Sequence, residues 1–73
     1  MEIIDHIGPG RNRIGDIIES LVSEGYDQTL IELDFKRLAL DEKIVLYPAD
    51  DPCEAVGQSI GFGGDRMFFV YLK

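Results

Sequence analysis

The apolar positions between residues 14 and 22 follow the spacing of one face of a helix. They fall at 14, 17, 18, 21 and 22, which is the i, i+3, i+4, i+7, i+8 pattern. Asn12 is suited to cap the amino terminus of this helix, and Gly25 is suited to the left-handed position beyond its end. The pattern therefore predicts a helix over about 13–24.

Other segments have the patterns of strands. Residues 29–35 alternate in polarity, which predicts a strand with one polar face. The chain then turns into a second strand at 44–47, and a short helical turn over 35–42 is the alternative to this hairpin. A first strand is predicted at 2–7. The final run, 67–72, is apolar on both faces, as in an interior strand.

A second helix is predicted over 51–61. Asp51 is suited as its cap, Pro52 as its first residue and Glu54 as the reciprocal capping partner. The resulting order of strand, helix, strand, strand, helix, strand is that of two split βαβ units. We therefore expect one α+β domain over 1–73, a compact βαββαβ (ferredoxin-like) sheet with helices on one face. A looser antiparallel sheet with one main helix is the alternative.

The composition indicates a small folded protein of a reducing compartment. An apolar content of 45% in 73 residues suffices for one core and exceeds what disordered segments carry. A single cysteine, Cys53, allows no internal disulfide bond. The first five residues lack the features of a signal peptide, and no apolar run reaches the roughly 20 residues of a membrane span. We expect a cytoplasmic protein without membrane attachment, a monomer in preference to an oligomer.

The glycine-rich segment 8–16 lies between a predicted strand and a predicted helix, where nucleotide-binding loops occur. It departs from both common phosphate-binding patterns. Arg13 replaces the third glycine of the dinucleotide fingerprint, and Asp16 replaces the lysine of a P-loop. Arg11 and Arg13 beside a helix amino terminus leave anion or nucleotide binding through this loop as an alternative function.

A second glycine cluster, 61–66, lies beside aromatic residues. Gly61-Phe62-Gly63 and the later Phe69-Val70 each match a fragment of the RNA-recognition motif, but the separation between them keeps the aromatics off one strand. We predict that Gly61 closes the second helix and that Gly63-Gly64 reverses the chain.

Residues for catalysis and metal binding are sparse in the sequence. Cys53 and His6 are the one thiol–imidazole pair, and they lie far apart in the chain without an orienting group. The sequence contains no Gly-x-Ser-x-Gly elbow, no cysteine or histidine pair and no calcium-loop ladder of carboxylates. We predict a non-enzymatic protein without a cofactor or a metal ion.

Charge is the main functional signal. Fourteen acidic residues against seven basic ones give a net charge of −7, which repels nucleic acid and anionic membranes and favours basic protein surfaces. The acidic residues concentrate in the predicted hairpin and in the loop after it, and a solvated acidic face is the simpler interpretation. The predicted partner-binding residues are Asp41, Glu42, Asp50, Asp51, Glu54, Arg11 and Arg13.

In its length, its acidity and its missing catalytic motifs, the chain resembles the small phage-encoded proteins that take over bacterial host machinery. That class includes inhibitors and antiterminators that bind bacterial RNA polymerase, and anti-CRISPR proteins. The resemblance implies a regulator that meets the basic channel of a large machine in the host cytoplasm. We predict RNA polymerase as the partner, with inhibition of initiation or antitermination as the effect. An anti-CRISPR or another inhibitor of nucleic-acid machinery is the alternative, and direct nucleic-acid binding is not expected.

Overall fold

The computed structural model describes residues 3–55 and 57–73. In chain order its elements are a 3₁₀ helix Ile3–His6, β1 Asn12–Arg13, α1 Ile14–Ser23, α2 Gln28–Leu40, β2 Ile44–Tyr47, β3 Ile60–Phe62, β4 Asp65–Met67 and β5 Phe69–Leu72. The two α-helices are therefore consecutive in the chain, and most of the strand content follows them.

Helix α1 forms where the apolar spacing predicts it, and its ends agree with the prediction to within a residue. Gly25 follows it in the left-handed region, at a φ of 99°. The Gly25 N–H donates to the Val22 carbonyl at 3.0 Å, and the Tyr26 N–H donates to the Leu21 carbonyl at 3.1 Å. These are the two hydrogen bonds of a Schellman motif, so the predicted role of Gly25 is confirmed.

The predicted cap of α1 is wrong. Arg13 occupies the cap position, and its side chain makes no capping hydrogen bond. The Asn12 Nδ2 instead donates to the carbonyls of Gly8 and Gly10, at 2.9 and 3.0 Å, while its Oδ1 accepts from the Gly8 N–H at 3.0 Å. Because Asn12 lies in β1, these bonds hold the preceding turn against the sheet.

Helix α2 occupies the segment for which alternating polarity predicted a strand, so the predicted hairpin is wrong. Asp27 caps this helix, since its Oδ1 accepts from the N–H groups of Thr29 and Leu30 at 2.8 and 3.4 Å. Ile31 and Phe35 lie one turn apart and are fully buried. Helical spacing, and not alternation, therefore decides which side chains of this segment reach the core.

Three strands form an antiparallel sheet in the order β1-β5-β2. The central strand is β5, in which Phe69 is paired with Arg13 on one side and with Tyr47 on the other. The predicted strand at 44–47 is confirmed as β2. The strand predicted over 67–72 is confirmed only over Phe69–Leu72 as β5, because Met67 lies in β4. Phe69 and Val70 are buried, whereas Tyr71 is half-buried and Leu72 is 44% exposed, so only the first half of β5 has the burial of an interior strand.

A separate two-stranded hairpin, β3–β4, lies between β2 and β5 in the chain. Phe62 is paired with Asp65, so that Gly63 and Gly64 form the loop. Their φ angles are 63° and 87°, the sign pattern of a type I′ turn, which favours glycine. The predicted reversal at these two glycines is confirmed. Gly61, predicted to close a helix, lies in β3 instead.

Eleven buried apolar side chains form one cluster, to which both α-helices, the 3₁₀ helix and strands β2, β3 and β5 contribute. Helix α1 supplies four of its members, and α2 supplies two. The cluster consists of Ile3, Ile7, Ile14, Ile17, Ile18, Leu21, Ile31, Phe35, Ile44, Ile60 and Val70. Since burial of apolar area is the main favourable term in folding, these positions carry most of the stability.

Residues 51–54 form a turn where a second helix was predicted. The Asp51 Oδ1 accepts from the Cys53 N–H at 2.9 Å, and the Glu54 N–H donates to the Asp51 carbonyl at 2.8 Å. The predicted helix also included Val56, which lies outside the described residues, and its last two residues belong to β3. The local capping geometry therefore starts a turn that does not continue as predicted.

The class is α+β with antiparallel strands, as predicted, but the order of elements differs from βαββαβ. Residues 3–6 form a 3₁₀ helix where a strand was predicted, and Glu2 of that prediction lies outside the described residues. Both α-helices precede β2, and the short β1 precedes both helices. The ferredoxin-like arrangement needs a strand between its two helices, and here α1 and α2 follow each other directly.

Candidate functional site

The predicted acidic residues fall into two groups at opposite ends of β2. Asp41 and Glu42 follow α2 immediately before this strand, whereas Asp50, Asp51 and Glu54 come after it. The first group lies near the carboxyl end of β5, because Ile44 is paired with Leu72. The second group lies near the start of β5, so the strand separates the two groups.

Arg11, Arg13 and Glu54, among the predicted partner-binding residues, make contacts between distant parts of the chain. Arg11 Nη1 lies 2.8 Å from Glu54 Oε2, which ties the loop after β2 to the segment before β1. The guanidinium groups of Arg11 and Arg13 lie 4.4 and 5.5 Å from the centroid of the Phe69 ring. Phe69 is only 3% exposed. The arginines therefore cover a core-edge aromatic ring, and their role in partner binding stays a prediction.

The other acidic positions are more open to solvent. Glu42 has a φ of 60° and a side chain that is 80% exposed, with Lys73 Nζ 3.7 Å from its Oε1. Asp41 occupies the carboxyl-terminal cap position of α2 and is exposed, as are Asp50 and Asp51. An exposed ion pair of this kind contributes little to stability, so these carboxylates are available for external contacts.

A shallow cleft of about 370 Å³ opens beside the start of α1. It contains Arg11 and Arg13, which suggested anion binding, together with the carboxylate of Asp16. Its lining consists of His6, Arg11, Asn12, Arg13, Asp16, Ile17 and Ser20. Asp16 opposes an anion there, and the Glu54 carboxylate already occupies Arg11. The cleft is a weaker candidate site than its two arginines suggest.

The outward side of α2 carries three exposed leucines. Leu30, Leu33 and Leu40 are 59%, 54% and 73% exposed. With Arg37 they occupy positions 30, 33, 37 and 40, a spacing of three, four and three residues that places them on one side of a helix. We refer to these four residues as the leucine face. It lies opposite the buried side of α2, and large apolar side chains exposed together commonly mark an interaction site.

A row of aspartates lies along one edge of the leucine face. Asp34 lies within α2, and Asp27 and Asp41 are its amino-terminal and carboxyl-terminal cap residues. Their spacing of seven positions is close to two helical turns and places the three on one side of the helix. Asp34 Oδ1 forms an ion pair with Arg37 Nη2 at 3.1 Å. We refer to these three residues as the aspartate edge. The opposite edge carries Lys36, so the two borders of the leucine face differ in charge.

Sequence reasoning missed both the leucine face and the aspartate edge, although Asp41 was among its candidates. Leu30 and Leu33 were assigned to opposite faces of a strand, and in a strand neither would join Leu40 on one surface. The signal in the sequence is a second apolar periodicity that runs beside the one made by Ile31 and Phe35. Two overlapping helical stripes resemble alternation when only seven residues are considered.

The described residues contain no group of three metal-ligating side chains, and none of the helices in 3–55 and 57–73 is long and apolar enough to cross a membrane. Comparison of the chain with protein-family models, curated proteins and solved structures finds no match. The surface of α2 and the charge of the chain are therefore the features that bear on function.

Proposed function

We propose that this chain is a protein-binding domain of the winged helix-turn-helix type, which acts as a small non-enzymatic regulator of a larger protein machine. Helices α1 and α2 are joined by four residues that include Gly25. A short turn that contains glycine is the usual connection in a helix-turn-helix. After α2 come β2, the β3–β4 hairpin and β5, which returns between β2 and β1. The hairpin corresponds to the wing of such domains.

The observation that carries the proposal is the exposed leucine face. In DNA-binding helix-turn-helix proteins the second helix enters the major groove, where Arg, Lys, Asn and Gln side chains contact base edges. At the corresponding surface of α2, three of the four side chains are leucines. Leucine offers no hydrogen bond to a base, whereas exposed apolar groups gain free energy when a protein surface covers them.

The charge around α2 supports a protein ligand over DNA. The helix and its two caps carry four carboxylates, Asp27, Glu32, Asp34 and Asp41, against the two basic side chains of Lys36 and Arg37. Affinity for DNA depends on neutralising phosphates with basic side chains, and both this segment and the whole chain at −7 have the opposite sign. We therefore infer that α2 of this chain contacts another protein.

Bacterial RNA polymerase is the first partner that we propose, with inhibition of initiation or antitermination as the effect, in line with the resemblance to phage-encoded regulators. The acidity of the chain supports an approach to the basic surfaces that surround nucleic-acid channels. Another machine that handles nucleic acid, including a CRISPR effector, has surfaces of the same chemistry and is the alternative.

The test is a binding assay with purified bacterial RNA polymerase and, in parallel, with mixed-sequence duplex DNA at about 0.15 M salt, where exposed charges are moderately screened. The variants are Leu33→Arg in the leucine face and Val22→Arg, which adds the same charge at an exposed apolar residue of α1. We expect the polymerase to bind wild type and Val22→Arg, and Leu33→Arg to bind at least about tenfold more weakly.

Duplex DNA binding that Leu33→Arg alters and Val22→Arg does not would contradict a protein-binding role for α2. Absence of polymerase binding to wild type would remove RNA polymerase as the partner. The same assay with a purified CRISPR effector then tests the alternative.

Anion binding through the 8–16 loop is the second candidate, because the cleft there contains Arg13 beside the amino terminus of α1. A ligand that binds only the folded state raises the melting temperature. If the loop binds anions, phosphate or nucleotide at millimolar concentration raises the melting temperature of wild type and not that of Arg13→Gln. An unchanged melting curve for wild type removes this candidate.

A further inference from the structure

The leucine face has the spacing of a coiled-coil seam. Positions 30, 33, 37 and 40 correspond to consecutive a and d positions of a heptad, in which two apolar positions recur every seven residues. Along the 13 residues of α2 the seam is about 20 Å long, which suits one short helix lying alongside. This spacing is suited to a helical occupant.

The two borders of the seam correspond to the e and g positions that select coiled-coil partners. The aspartate edge, Asp27, Asp34 and Asp41, occupies every e position. The g positions within α2 are Thr29 and Lys36. Each position of one border is therefore an aspartate, with a carboxylate about every 10 Å along the helix, although Asp34 is also paired with Arg37 at an a position. This border favours positive side chains at the same intervals on the occupant.

A second copy of this chain does not satisfy these borders. In an antiparallel pair of α2 helices, the two aspartate edges face each other and repel. In a parallel pair, the contacts reduce to Lys36 of each copy with Asp41 of the other, since Thr29 carries no charge. Each copy also brings a net charge of −7, which opposes association.

We propose that the leucine face docks an amphipathic helix of a partner protein whose apolar seam is bordered by Lys or Arg along the side that meets the aspartate edge. This inference rests on the proposed protein-binding function and adds the secondary structure and the charge pattern of the ligand. Helix-in-groove recognition of this kind depends on apolar anchors at spacings of three and four residues, and the charged border sets the choice of partner and the direction.

The test uses two synthetic 21-residue helical peptides as probes. Both have leucine at the a and d positions, and one carries lysine at e and g where the other carries glutamate. Like charges at these borders keep each peptide from pairing with itself. Binding is measured by fluorescence anisotropy of the labelled peptides at about 0.15 M salt. We expect the lysine peptide to bind wild type, and the glutamate peptide to bind at least about tenfold more weakly.

Matched charge variants distinguish the aspartate edge from the overall acidity of the chain. Asp34→Asn with Asp41→Asn removes two charges from the edge, and Asp50→Asn with Asp65→Asn removes two exposed charges elsewhere. Asp27 is left intact because it caps α2. We expect the edge variant to bind the lysine peptide about fivefold more weakly than the control variant, and the difference to shrink at high salt.

Three outcomes would overturn the inference. Equal weakening of both charge variants would mean that only net charge attracts the peptide. No binding of the lysine peptide would exclude a basic helix as the occupant. A dimer in sedimentation equilibrium that Leu33→Ala dissociates would assign the face to a second copy. If the lysine peptide does not bind but Leu33→Arg specifically loses polymerase binding, the inference about a basic helix fails and the proposed function is still supported. The two failures are therefore distinguishable.

Discussion

The two helices of this small protein use their apolar residues in different ways. Helix α1 buries four, Ile14, Ile17, Ile18 and Leu21, and its outward side is acidic or hydroxylic except for Val22 near its end. Helix α2 buries Ile31 and Phe35 and exposes three leucines on the opposite side. One helix is amphipathic in the ordinary sense, and the other is apolar on two sides.

This difference separates the apolar residues that form the core from the apolar residues that stay exposed after folding. The inner side of α2 contributes Ile31 and Phe35 to the core, whereas the three exposed leucines are not among the core residues. The leucine face therefore requires another explanation, and contact with a partner is the one that its spacing supports. Substitutions at Phe35 and Leu33 test whether the two sides of α2 are as separate as this comparison implies, and substitutions at Gly25 and Asp27 test what fixes the start of this helix.

The largest effect is expected at the inner side of α2. Phe35 is 0% exposed, and Phe35→Ala leaves a cavity in the core, so we expect a loss of about 3–5 kcal/mol in the free energy of unfolding. Urea denaturation followed by circular dichroism measures it. Phe35→Leu, which removes less volume, provides an intermediate point if the alanine variant does not fold. Native-like stability of Phe35→Ala would show that the core does not depend on this side of α2.

A smaller effect is expected at the connection between the two helices. Gly25 has a φ of 99°, and a Cβ added there meets no atom within 4 Å. The cost of Gly25→Ala is therefore conformational alone, and we expect about 1–2 kcal/mol. Gly25→Asn is the control, because asparagine tolerates the left-handed region better than alanine. Equal thermal denaturation of the two variants would argue that the turn relaxes and that its Schellman geometry is dispensable.

The same comparison explains which parts of the fold could be predicted from the sequence. Helix α1 has a single apolar stripe, and the pattern locates it to within a residue. The strand at 44–47 and the reversal at Gly63-Gly64 were also predicted. A run of β-branched and aromatic residues is a strong local signal for a strand, and paired glycines are one for a turn. Helix α2 was missed because its two stripes together imitate the alternation of a strand. Local propensity does not show which stripe the core will cover.

The functional site could be predicted from the sequence less completely than the fold. The acidic excess is a property of the sequence, but its grouping depends on tertiary structure. Asp41 borders the leucine face only because α2 is helical, whereas Glu54 is paired with Arg11 across the fold. Such long-range pairing has no local signature, and neither the aspartate edge nor the Arg11–Glu54 contact was predicted.

The start of α2 gives the third prediction. Asp27 is the only side-chain cap in the helix pair, because Arg13 makes no such bond for α1. Asp27→Ala should cost about 1 kcal/mol, and Asp27→Asn only a few tenths, since asparagine caps about as well as aspartate. Thermal denaturation of the two variants measures the difference. Equal stability of Asp27→Ala and wild type would mean that tertiary packing alone holds the first turn of α2.

The smallest effect on stability is expected at the outward side of α2, where the comparison is sharpest. Leu33 lies two residues from Phe35 in the chain and is 54% exposed. Truncation of an exposed side chain in a helix leaves no cavity, and alanine has the higher helix propensity, so Leu33→Ala should change the free energy of unfolding by no more than about 0.5 kcal/mol. Urea denaturation beside Phe35→Ala measures both sides of one helix under identical conditions. A loss above about 1 kcal/mol would mean that the leucine face packs within the fold, because surface positions rarely give so large a change. The outward leucines would then be part of the core, and the reason to assign them a partner would disappear.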